Sequence, residues 1–377
     1  MNLGTLEMEK LKQVEDFAKT KVRSRAADID EGSSFPTDLV EEMGRIGVFA
    51  SYIPREYGGL GLSLSTLMES IRIISRECAS TSLIPDVTVS LFGEPILKYG
   101  SEALKKRYLS RIADGTIGAL AITEPGTGSD AAGIKTTALK KGEKYILNGG
   151  KTFITNGAEA QFFLASAVTE PELKHHGITL FALDREMSGL SIGNEFRKMG
   201  IRGTSTTEVL MNNVEVGEEQ VVGEINEGFK IEMDTLNVGR IGIASQAIGI
   251  SEGAIRDVVN FWKENKENSK EGALFKLADM VNMLHSSVSK YYESVGMVEG
   301  GMDTTLLSSL SKLQAGDSAV KITSSAVEIL GHLSMSEKYP AERRYREAKI
   351  TQIYEGTNEI QRLIIGREIL KSGGPHF

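Results

Sequence analysis

Apolar residues recur at intervals of three and four over 6–25, a spacing that predicts a helix. Three further helices are indicated, one after Pro36, one over 64–76 and one from the capping residue Ser101 to Ala113. The segment 82–99 is apolar too, although two prolines interrupt it. These patterns predict an N-terminal helical domain over residues 1–115.

After Gly115 the pattern changes to short apolar or alternating runs, divided by turn residues such as Asn148-Gly149, Asn156-Gly157 and Ser188-Gly189. The runs cover 120–122, 136–139, 144–147, 162–168, 178–183, 190–192 and 208–211. Short strands joined by such turns predict a small antiparallel β domain over residues 116–226.

Helical spacing returns after Gly228, beginning with a long helix over 229–263 that contains four glycines. Each glycine weakens a helix by about 1 kcal/mol relative to alanine. We therefore expect another backbone to approach this helix closely at several of them. The same glycine-bearing helices are compatible with a homo-oligomer, a dimer or a tetramer.

Three more helices complete the C-terminal third. The apolar positions from Leu274 to Val298 follow a heptad pattern, and another helix is predicted over 306–330. A last helix begins after Gly356, with Asn358 and Gln361 placed as a capping box. We predict a four-helix bundle over 227–377, which makes the chain an α+β protein of three domains.

Composition excludes several classes of function. The net charge of -8 argues against nucleic acid as a partner. No run of eighteen apolar residues is present, so no membrane span is expected. The five histidines lack the spacing of metal ligands, and no metal site is predicted. Cys78 is the only cysteine, which fits a reducing, cytoplasmic location.

The stretch 119–130 is the first candidate for chemistry. An apolar strand runs into Thr123-Glu124-Pro125-Gly126-Thr127-Gly128-Ser129-Asp130, where glycines alternate with short hydroxyl side chains. Such a turn presents backbone N–H groups and hydroxyls to a flat, polar or anionic ligand. A plain Pro-Gly turn explains the same residues equally well, and these residues alone do not decide between the two.

Four motifs together resemble the acyl-CoA dehydrogenase family across essentially the whole chain. They are the loop 122–130, the strand Phe153-Ile154-Thr155-Asn156, the segment Lys198-Met199-Gly200-Ile201-Arg202-Gly203, and the stretch 348–362, which includes Ile353-Tyr354-Glu355-Gly356-Thr357. The helix around Leu236 to Gly249 is most similar to the short-chain, butyryl-type members. The resemblance implies a flavin-dependent dehydrogenase that acts on the thioester of CoA or of an acyl carrier protein.

The resemblance also implies roles for individual residues. FAD contacts are implied for Ile122, Thr123, Gly128, Ser129, Phe153, Thr155 and Thr357. Substrate contacts are implied for Ser129, Asn237, Arg240, Tyr354 and Gly356. Electron-transfer flavoprotein or a similar acceptor would reoxidise the flavin. Read without the resemblance, the hydroxyls cap their own turns and Arg240 is an interhelical ion-pair partner.

Glu355 is the expected catalytic base. Abstraction of a proton from the carbon next to a thioester needs a stronger base than a carboxylate in water, and an apolar site provides one by raising the pKa. The resemblance implies that the N–H of Glu355 and a ribityl hydroxyl stabilise the enolate, while hydride passes to flavin N5. Some members carry the base before an arginine of the long helix, but that position is Gly239 here. The alternative for Glu355 is a solvated acid at a helix start.

Two segments depart from the family pattern. The connection 262–272 lacks the Arg-x-Phe-Gly and glutamine that hold the FAD diphosphate of a neighbouring subunit. In 328–335 only Gly331 remains of a Gly-Gly-x-Gly, and Glu328 replaces a glutamine. Three readings stay open: a homo-oligomer with weakly held FAD, a hetero-oligomer whose related subunit supplies the missing loop, or a flavin-free protein that binds acyl thioesters or transfers protons.

Overall fold

The computed structural model describes residues 3–265, 271–335 and 338–374. Its first part is helical, as predicted. The helices are α1 (Thr5–Phe17), α2 (Arg23–Gly32), α3 (Thr37–Arg45), α4 (Leu64–Ser75), α5 (Ala79–Pro85), α6 (Glu94–Tyr99) and α7 (Glu102–Ala113). Ser101 caps α7 by accepting a hydrogen bond from the N–H of Leu104. Gly115 follows in a left-handed conformation, as expected for a residue that ends a helix.

The two prolines of 82–99 do not break the chain into loops. Helices α5 and α6 are joined by a π-helical segment, Asp86–Gly93, so one buried rod runs through both prolines. Pro85 has no N–H to donate within the helix, and the π-helical winding, in which each N–H bonds to the carbonyl five residues earlier, begins directly after it. This rod lies against the long helix of the C-terminal part and against the first strand.

The central part is a mixed sheet. Its strands are β1 (Gly118–Ala121), β2 (Thr137–Lys141), β3 (Lys144–Thr155), β4 (Phe162–Val168), β5 (Ile178–Asp184), β6 (Leu190–Glu195), β7 (Thr206–Gly217) and β8 (Val221–Val222). The order is β6-β7-β3-β2-β4-β5-β8, and β1 pairs with β4. Most pairs are antiparallel, but β1–β4 and β2–β4 are parallel. The prediction of a purely antiparallel domain was wrong at these two pairs: β1 enters from α7 alongside β4, and β2 meets β4 at the single pair Thr137–Val168.

One predicted turn lies inside a strand. Asn148-Gly149 does not end β3, which continues to Thr155 with an irregular register against β7 after Leu147. Gly149 adopts a positive φ of 153° there, and a Cβ would stand 2.7 Å from the Cα of Thr136. The dipeptide therefore forms a bulge, which bends the strand rather than reversing it. The predicted turns at Asn156-Gly157 and Ser188-Gly189 do fall between strands.

The C-terminal part consists of α8 (Gly228–Asn265), α9 (Glu271–Glu299), α10 (Thr305–Leu330), α11 (Ala341–Ile350) and α12 (Asn358–Ser372). The predicted bundle is present, with α11 as a helix that the sequence pattern did not reveal. The capping box was wrong by one residue, because the N-cap of α12 is Thr357, whose hydroxyl accepts from the N–H of Ile360 at 3.3 Å.

The glycines of α8 allow the close contacts that we expected. A Cβ on Gly249 would stand 2.7 Å from the Cβ of Ser75, and one on Gly253 would stand 2.7 Å from the carbonyl oxygen of Arg76. Helix α4 thus packs directly on the backbone of α8, and the Ser75 hydroxyl donates to the carbonyl of Gln246 at 2.8 Å. No helix among the described residues is long and apolar enough to cross a membrane.

Candidate active site

The segment between α11 and α12 holds Glu355 in a conformation that few side chains adopt. Glu355 has a φ of 49° and Gly356 a φ of 89°, so two consecutive residues are left-handed. A non-glycine residue in this region is strained and needs support from its surroundings. The side-chain amide of Gln361 and the ammonium of Lys312 both donate to the carbonyl of Gly356, at 2.9 and 2.8 Å.

Lys312 is a buried cation next to Glu355 that the sequence analysis missed. It is fully buried on α10, and its ammonium also donates to Oδ1 of Asn358 at 2.9 Å. Burial lowers the pKa of Lys312 to about 7, although Glu355 partly opposes the shift. The sequence contains a signal for its burial, because Lys312 shares helical spacing with Ser308, Ala315 and Ala319. All four residues lie on the buried face of α10. Lys312 therefore supports the Glu355 loop from inside the bundle.

The carboxylate of Glu355 is buried against α8. Its Oε2 has no hydrogen-bond partner among the described residues. A Cβ on Gly239 would stand 3.0 Å from the Cδ of Glu355, so this carboxylate lies on bare helix backbone. Burial raises the pKa of Glu355 well above its ordinary value, as does Asp86, while Lys312 and Arg240 oppose the rise. An unpaired carboxylate with a raised pKa is suited to remove a proton.

Arg240 and Asn237 lie beside this carboxylate. The guanidinium of Arg240 donates to Oδ1 of Asn237 at 2.6 Å, and its Nε makes no hydrogen bond within the described chain. Burial lowers the pKa of Arg240 to about 10, with Glu355 opposing. Arg240 is therefore a buried cation with spare donor capacity, and no carboxylate of the described chain forms an ion pair with it. The hydroxyl of Tyr354 donates to Gln246 of α8.

The loop 122–130 is held from below by a buried ion pair. The ammonium of Lys151 lies 2.8 Å from Glu124 and 3.0 Å from the carbonyl of Ile122. Glu124 also accepts from the N–H groups of Lys135 and Thr136, and the carbonyl of Thr123 accepts from Thr152 at 2.8 Å. These bonds fix the loop on β3. Its tip, which includes Gly128 and Ser129, is exposed.

An aromatic surface lies next to that loop. Phe153 has a φ of 58° and is 61% exposed, an unusual position for a large apolar ring. It packs against Phe196 with ring centroids 4.8 Å apart. Thr155 follows two residues later, beside Thr206 of β7. The hydroxyl of Thr207, on the other face of β7 beside Gly157, is buried and has no hydrogen-bond partner among the described residues. An exposed aromatic ring at the end of β3 can stack on a flat ring system.

The π-helical rod joins the two groups of residues. Segment Asp86–Gly93 packs on β1 and on α8, and the hydroxyl of Thr88 donates to the carbonyl of Gly118 at 3.4 Å. The amide of Asn156, just after β3, donates to the carbonyl of Ile84 at 3.3 Å. Glu355, Gly356, Asn237 and Arg240 are thus grouped on the bundle side, and Ile122, Thr123, Phe153 and Thr155 on the sheet side. Thr357 uses its hydroxyl to cap α12.

Comparisons with known proteins agree with this architecture. Three family models match: the acyl-CoA dehydrogenase N-terminal domain over residues 7–116, its middle domain over 119–214 and its C-terminal domain over 226–370. The chain belongs to the acyl-CoA dehydrogenase family. An acyl-CoA dehydrogenase of Bacillus subtilis (strain 168) is 40% identical over 365 residues, which covers 95% of this chain and 96% of the relative.

Solved structures of related proteins superpose closely on this acyl-CoA dehydrogenase family member. Butyryl-CoA dehydrogenase from Megasphaera elsdenii superposes with a TM-score of 0.95 at 35% identity, covering 98% of this chain and 99% of that one. A chain from work on the electron transferring flavoprotein of Acidaminococcus fermentans and flavin-based electron bifurcation gives 0.96 at 36% identity, with the same coverage. Acyl-CoA dehydrogenases are FAD-dependent oxidoreductases that act on CH–CH bonds.

The residues of this acyl-CoA dehydrogenase family member fit one half of FAD better than the other. The exposed ring of Phe153 and the anchored loop 122–130 suit the flavin ring. On the diphosphate side, Glu328 is exposed and forms an ion pair with Lys276 of α9, and Gly331 faces open space. Residues 266–270 of the unusual connection lie outside the described chain. The described residues of 262–272 include no arginine, so these segments do not reproduce the family's diphosphate site.

Proposed function

We propose that this chain oxidises short acyl-CoA thioesters to their α,β-unsaturated products, with Glu355 as the base that removes the α-proton. The observation that carries the proposal is the buried, unpaired carboxylate of Glu355, held in a strained conformation on Gly239. The butyryl-CoA dehydrogenase of Megasphaera elsdenii supports a short acyl chain. When bound, FAD supplies the acceptor for the hydride that leaves the β-carbon.

The protein's own residues have distinct tasks in this proposal. The Glu355 carboxylate accepts the α-proton, and its N–H, turned by the positive φ, donates to the thioester oxygen. Arg240 and Asn237 bind polar parts of the substrate beside the base, and Tyr354 and Gly356 form the wall next to it. Lys312 fixes the loop through the Gly356 carbonyl. Ile122, Thr123, Gly128, Ser129, Phe153, Thr155 and Thr357 contact FAD, and Ser129 contacts the pantetheine arm as well.

A substrate panel tests this proposal. The purified protein with added FAD should reduce an artificial electron acceptor with butyryl-CoA and should lose activity as the acyl chain lengthens or carries branches. Loading the same acyl groups on acyl carrier protein decides between the two thioester carriers. If no acyl thioester reduces the acceptor in the presence of excess FAD, the protein is not a dehydrogenase.

Self-association is part of the proposal. Leu274, Phe275 and Val281 of α9 are 47%, 61% and 47% exposed, although the heptad pattern predicted that the first and last would be buried. Leu274 and Val281, together with Leu277 and His285, line an apolar groove of about 570 Å³. An uncovered apolar helix face of this kind suits contact with another subunit. We propose a homo-oligomer that passes electrons to an electron-transfer flavoprotein, and a cytoplasmic location in keeping with the single, unpaired Cys78.

A second arrangement has support from one observation. The segments 262–272 and 328–335 lack the family's phosphate ligands in sequence, and Glu328 is held in an exposed ion pair with Lys276. A related subunit that carries those ligands would complete the site in a hetero-oligomer. Co-purification of a second family member from the native host distinguishes this arrangement from the homo-oligomer. We also propose that the chain divides into three domains, with boundaries at 115/116 and 226/227.

A further inference from the structure

Asp86 is a buried acid that the proposed chemistry does not use. It is the first residue of the π-helical segment of the rod, and its side chain is fully buried. The Ser90 hydroxyl lies near enough to favour the ionised form, yet neither carboxylate oxygen of Asp86 has a hydrogen-bond partner of normal geometry among the described residues. A polar group buried without a partner costs stability, unless a ligand supplies the missing hydrogen bond.

Asp86 and Glu355 lie on the same face of α8. A Cβ on Gly242 would stand 2.7 Å from the Cγ of Asp86, just as one on Gly239 would stand 3.0 Å from the Cδ of Glu355. Residues three apart in a helix are neighbours on one face, separated by about 4.5 Å along the axis. The two carboxyl groups therefore lie side by side on one bare strip of helix backbone.

The burial of Asp86 does not separate it from the substrate site. Oε2 of Glu355 is buried as well, although it must meet the substrate's α-carbon. Leu91 comes from the same rod as Asp86, and its Cδ2 would stand 2.6 Å from a Cβ on Gly239. The rod that carries Asp86 thus forms a wall of the space around the base.

We propose that Asp86 binds a hydroxyl group on the acyl chain of the substrate, roughly three single bonds beyond the α-carbon. The inference rests on the proposed function, because the α-carbon must lie at Glu355. An acyl chain that runs from there along α8 reaches Asp86 over about 4.5 Å. The substrate class is therefore a short hydroxyacyl thioester.

The chemistry of Asp86 favours a hydroxyl over other groups. A hydroxyl both donates and accepts, so it pairs with an ionised or a neutral carboxyl. A methyl group leaves the acid unpaired. A terminal carboxylate would bring a third acidic group next to Asp86 and Glu355, where like charges repel. We therefore expect the acyl-CoA that carries a hydroxyl to bind most tightly, the one with a methyl less tightly, and the one with a carboxylate most weakly.

Equilibrium binding tests this order. The ligands are 4-hydroxybutyryl-CoA, pentanoyl-CoA, which has a methyl in place of the hydroxyl, and succinyl-CoA. Isothermal titration calorimetry is run on the Glu355→Gln protein, which cannot turn the ligands over, and on the same protein carrying Asp86→Leu, Asp86→Ala or Asp86→Asn. We expect 4-hydroxybutyryl-CoA to bind about tenfold or more tightly than pentanoyl-CoA before Asp86 is changed.

The variants separate the possible causes. Asp86→Leu and Asp86→Ala should abolish the preference, and Asp86→Asn, which keeps one acceptor oxygen, should retain part of it. Equal affinity for 4-hydroxybutyryl-CoA and pentanoyl-CoA, or a preference that persists in the alanine variant, overturns the role of Asp86 and leaves the dehydrogenase proposal intact. Failure to bind any of the three acyl-CoA ligands overturns both.

Discussion

Glu355 and Gly239 meet at one point of the active site, where the carboxylate lies directly on the helix backbone. The glycine comes from α8 and the acid from the loop before α12, so neither segment forms the site without the other. Any side chain on residue 239 would occupy the volume of the carboxylate. This single contact explains why a residue that weakens a helix stands in the middle of a long one.

Gly239→Ala should therefore displace the base. The added Cβ would overlap Glu355 and would stand 2.6 Å from Leu91, so we expect a loss of turnover of at least tenfold and a lower melting temperature. Gly296→Ala on α9 is the matched control, because a Cβ there meets nothing within 4 Å. The control should be neutral or stabilising by up to about 1 kcal/mol. Full activity in Gly239→Ala would contradict the described position of Glu355.

Glu355→Gln should keep the fold and lose the chemistry. An amide of the same shape cannot accept the α-proton, and general-base catalysis contributes about 10²–10⁴-fold. Turnover of butyryl-CoA and exchange of its α-proton in deuterated water should both fall by that factor. The exposed Glu359→Gln, four residues further on, should change neither. More than a tenth of the wild-type rate in Glu355→Gln would assign the base to another residue.

The pH dependence of activity should respond to Lys312. Because the base must be ionised, kcat/KM should increase with pH through the raised pKa of Glu355. The positive charge of Lys312 lowers that pKa, so Lys312→Met should move the rising limb to higher pH. Lys321→Met, an exposed change on the same helix, should leave the profile in place. A limb that stays fixed in Lys312→Met would show that Lys312 does not influence the base.

Asp86→Asn should make the protein more stable at neutral pH. Burial raises the pKa of Asp86 from 3.8 to about 7. Between these values the native state holds a proton that the unfolded state has released, so this group lowers the free energy of unfolding as pH rises. Asparagine removes the effect, and the variant should gain up to about 4 kcal/mol above pH 7 and little below pH 4.

Urea titrations at several pH values measure that gain. Asp279→Asn on the exposed face of α9 serves as the control and should show no such dependence. A constant difference between Asp86→Asn and the wild-type protein at all pH values would mean that Asp86 does not titrate with a raised pKa.

FAD should dissociate readily from a homo-oligomer of this chain. An arginine–phosphate hydrogen bond contributes about 1.5–3 kcal/mol, and 262–272 contains no arginine. We expect a Kd no tighter than roughly micromolar, with loss of the yellow colour on gel filtration. An Arg-x-Phe-Gly inserted before Leu274, together with Glu328→Gln, should tighten binding, whereas Glu215→Gln, at another exposed ion pair, should not. Stoichiometric FAD with a nanomolar Kd would assign the diphosphate to other residues.

The sequence predicted the parts of the molecule that depend on local signals. Helical spacing located the long helices, and the motif around Glu355 located the base. Thr357 rather than Asn358 caps α12, because Asn358 turns inward to accept from Lys312. Asn148-Gly149 forms a bulge rather than a turn, because β7 pairs with β3 on both sides of it. Local propensity does not contain those tertiary partners.

The buried charges were harder to predict. Charged residues in helices usually face solvent, and the sequence around Lys312 and Asp86 gives no direct sign of the groups that these two meet inside the protein. Their roles follow from what packs around them: the Gly356 carbonyl for Lys312, and the bare backbone of Gly242 for Asp86. A spacing argument identifies the buried face of a helix, but only the folded chain shows which group meets it.

The π-helical winding of Asp86–Gly93 sets the rotational phase between the two ends of the rod. Because each α-helical residue advances by about 100°, removing one residue from this segment would let it rewind as α-helix and would turn Asp86 away from Gly242 relative to Leu91. A single-codon deletion could thus exchange the side chain that faces the acyl group. In this fold, substrate preference can change through helix phase as well as through substitution.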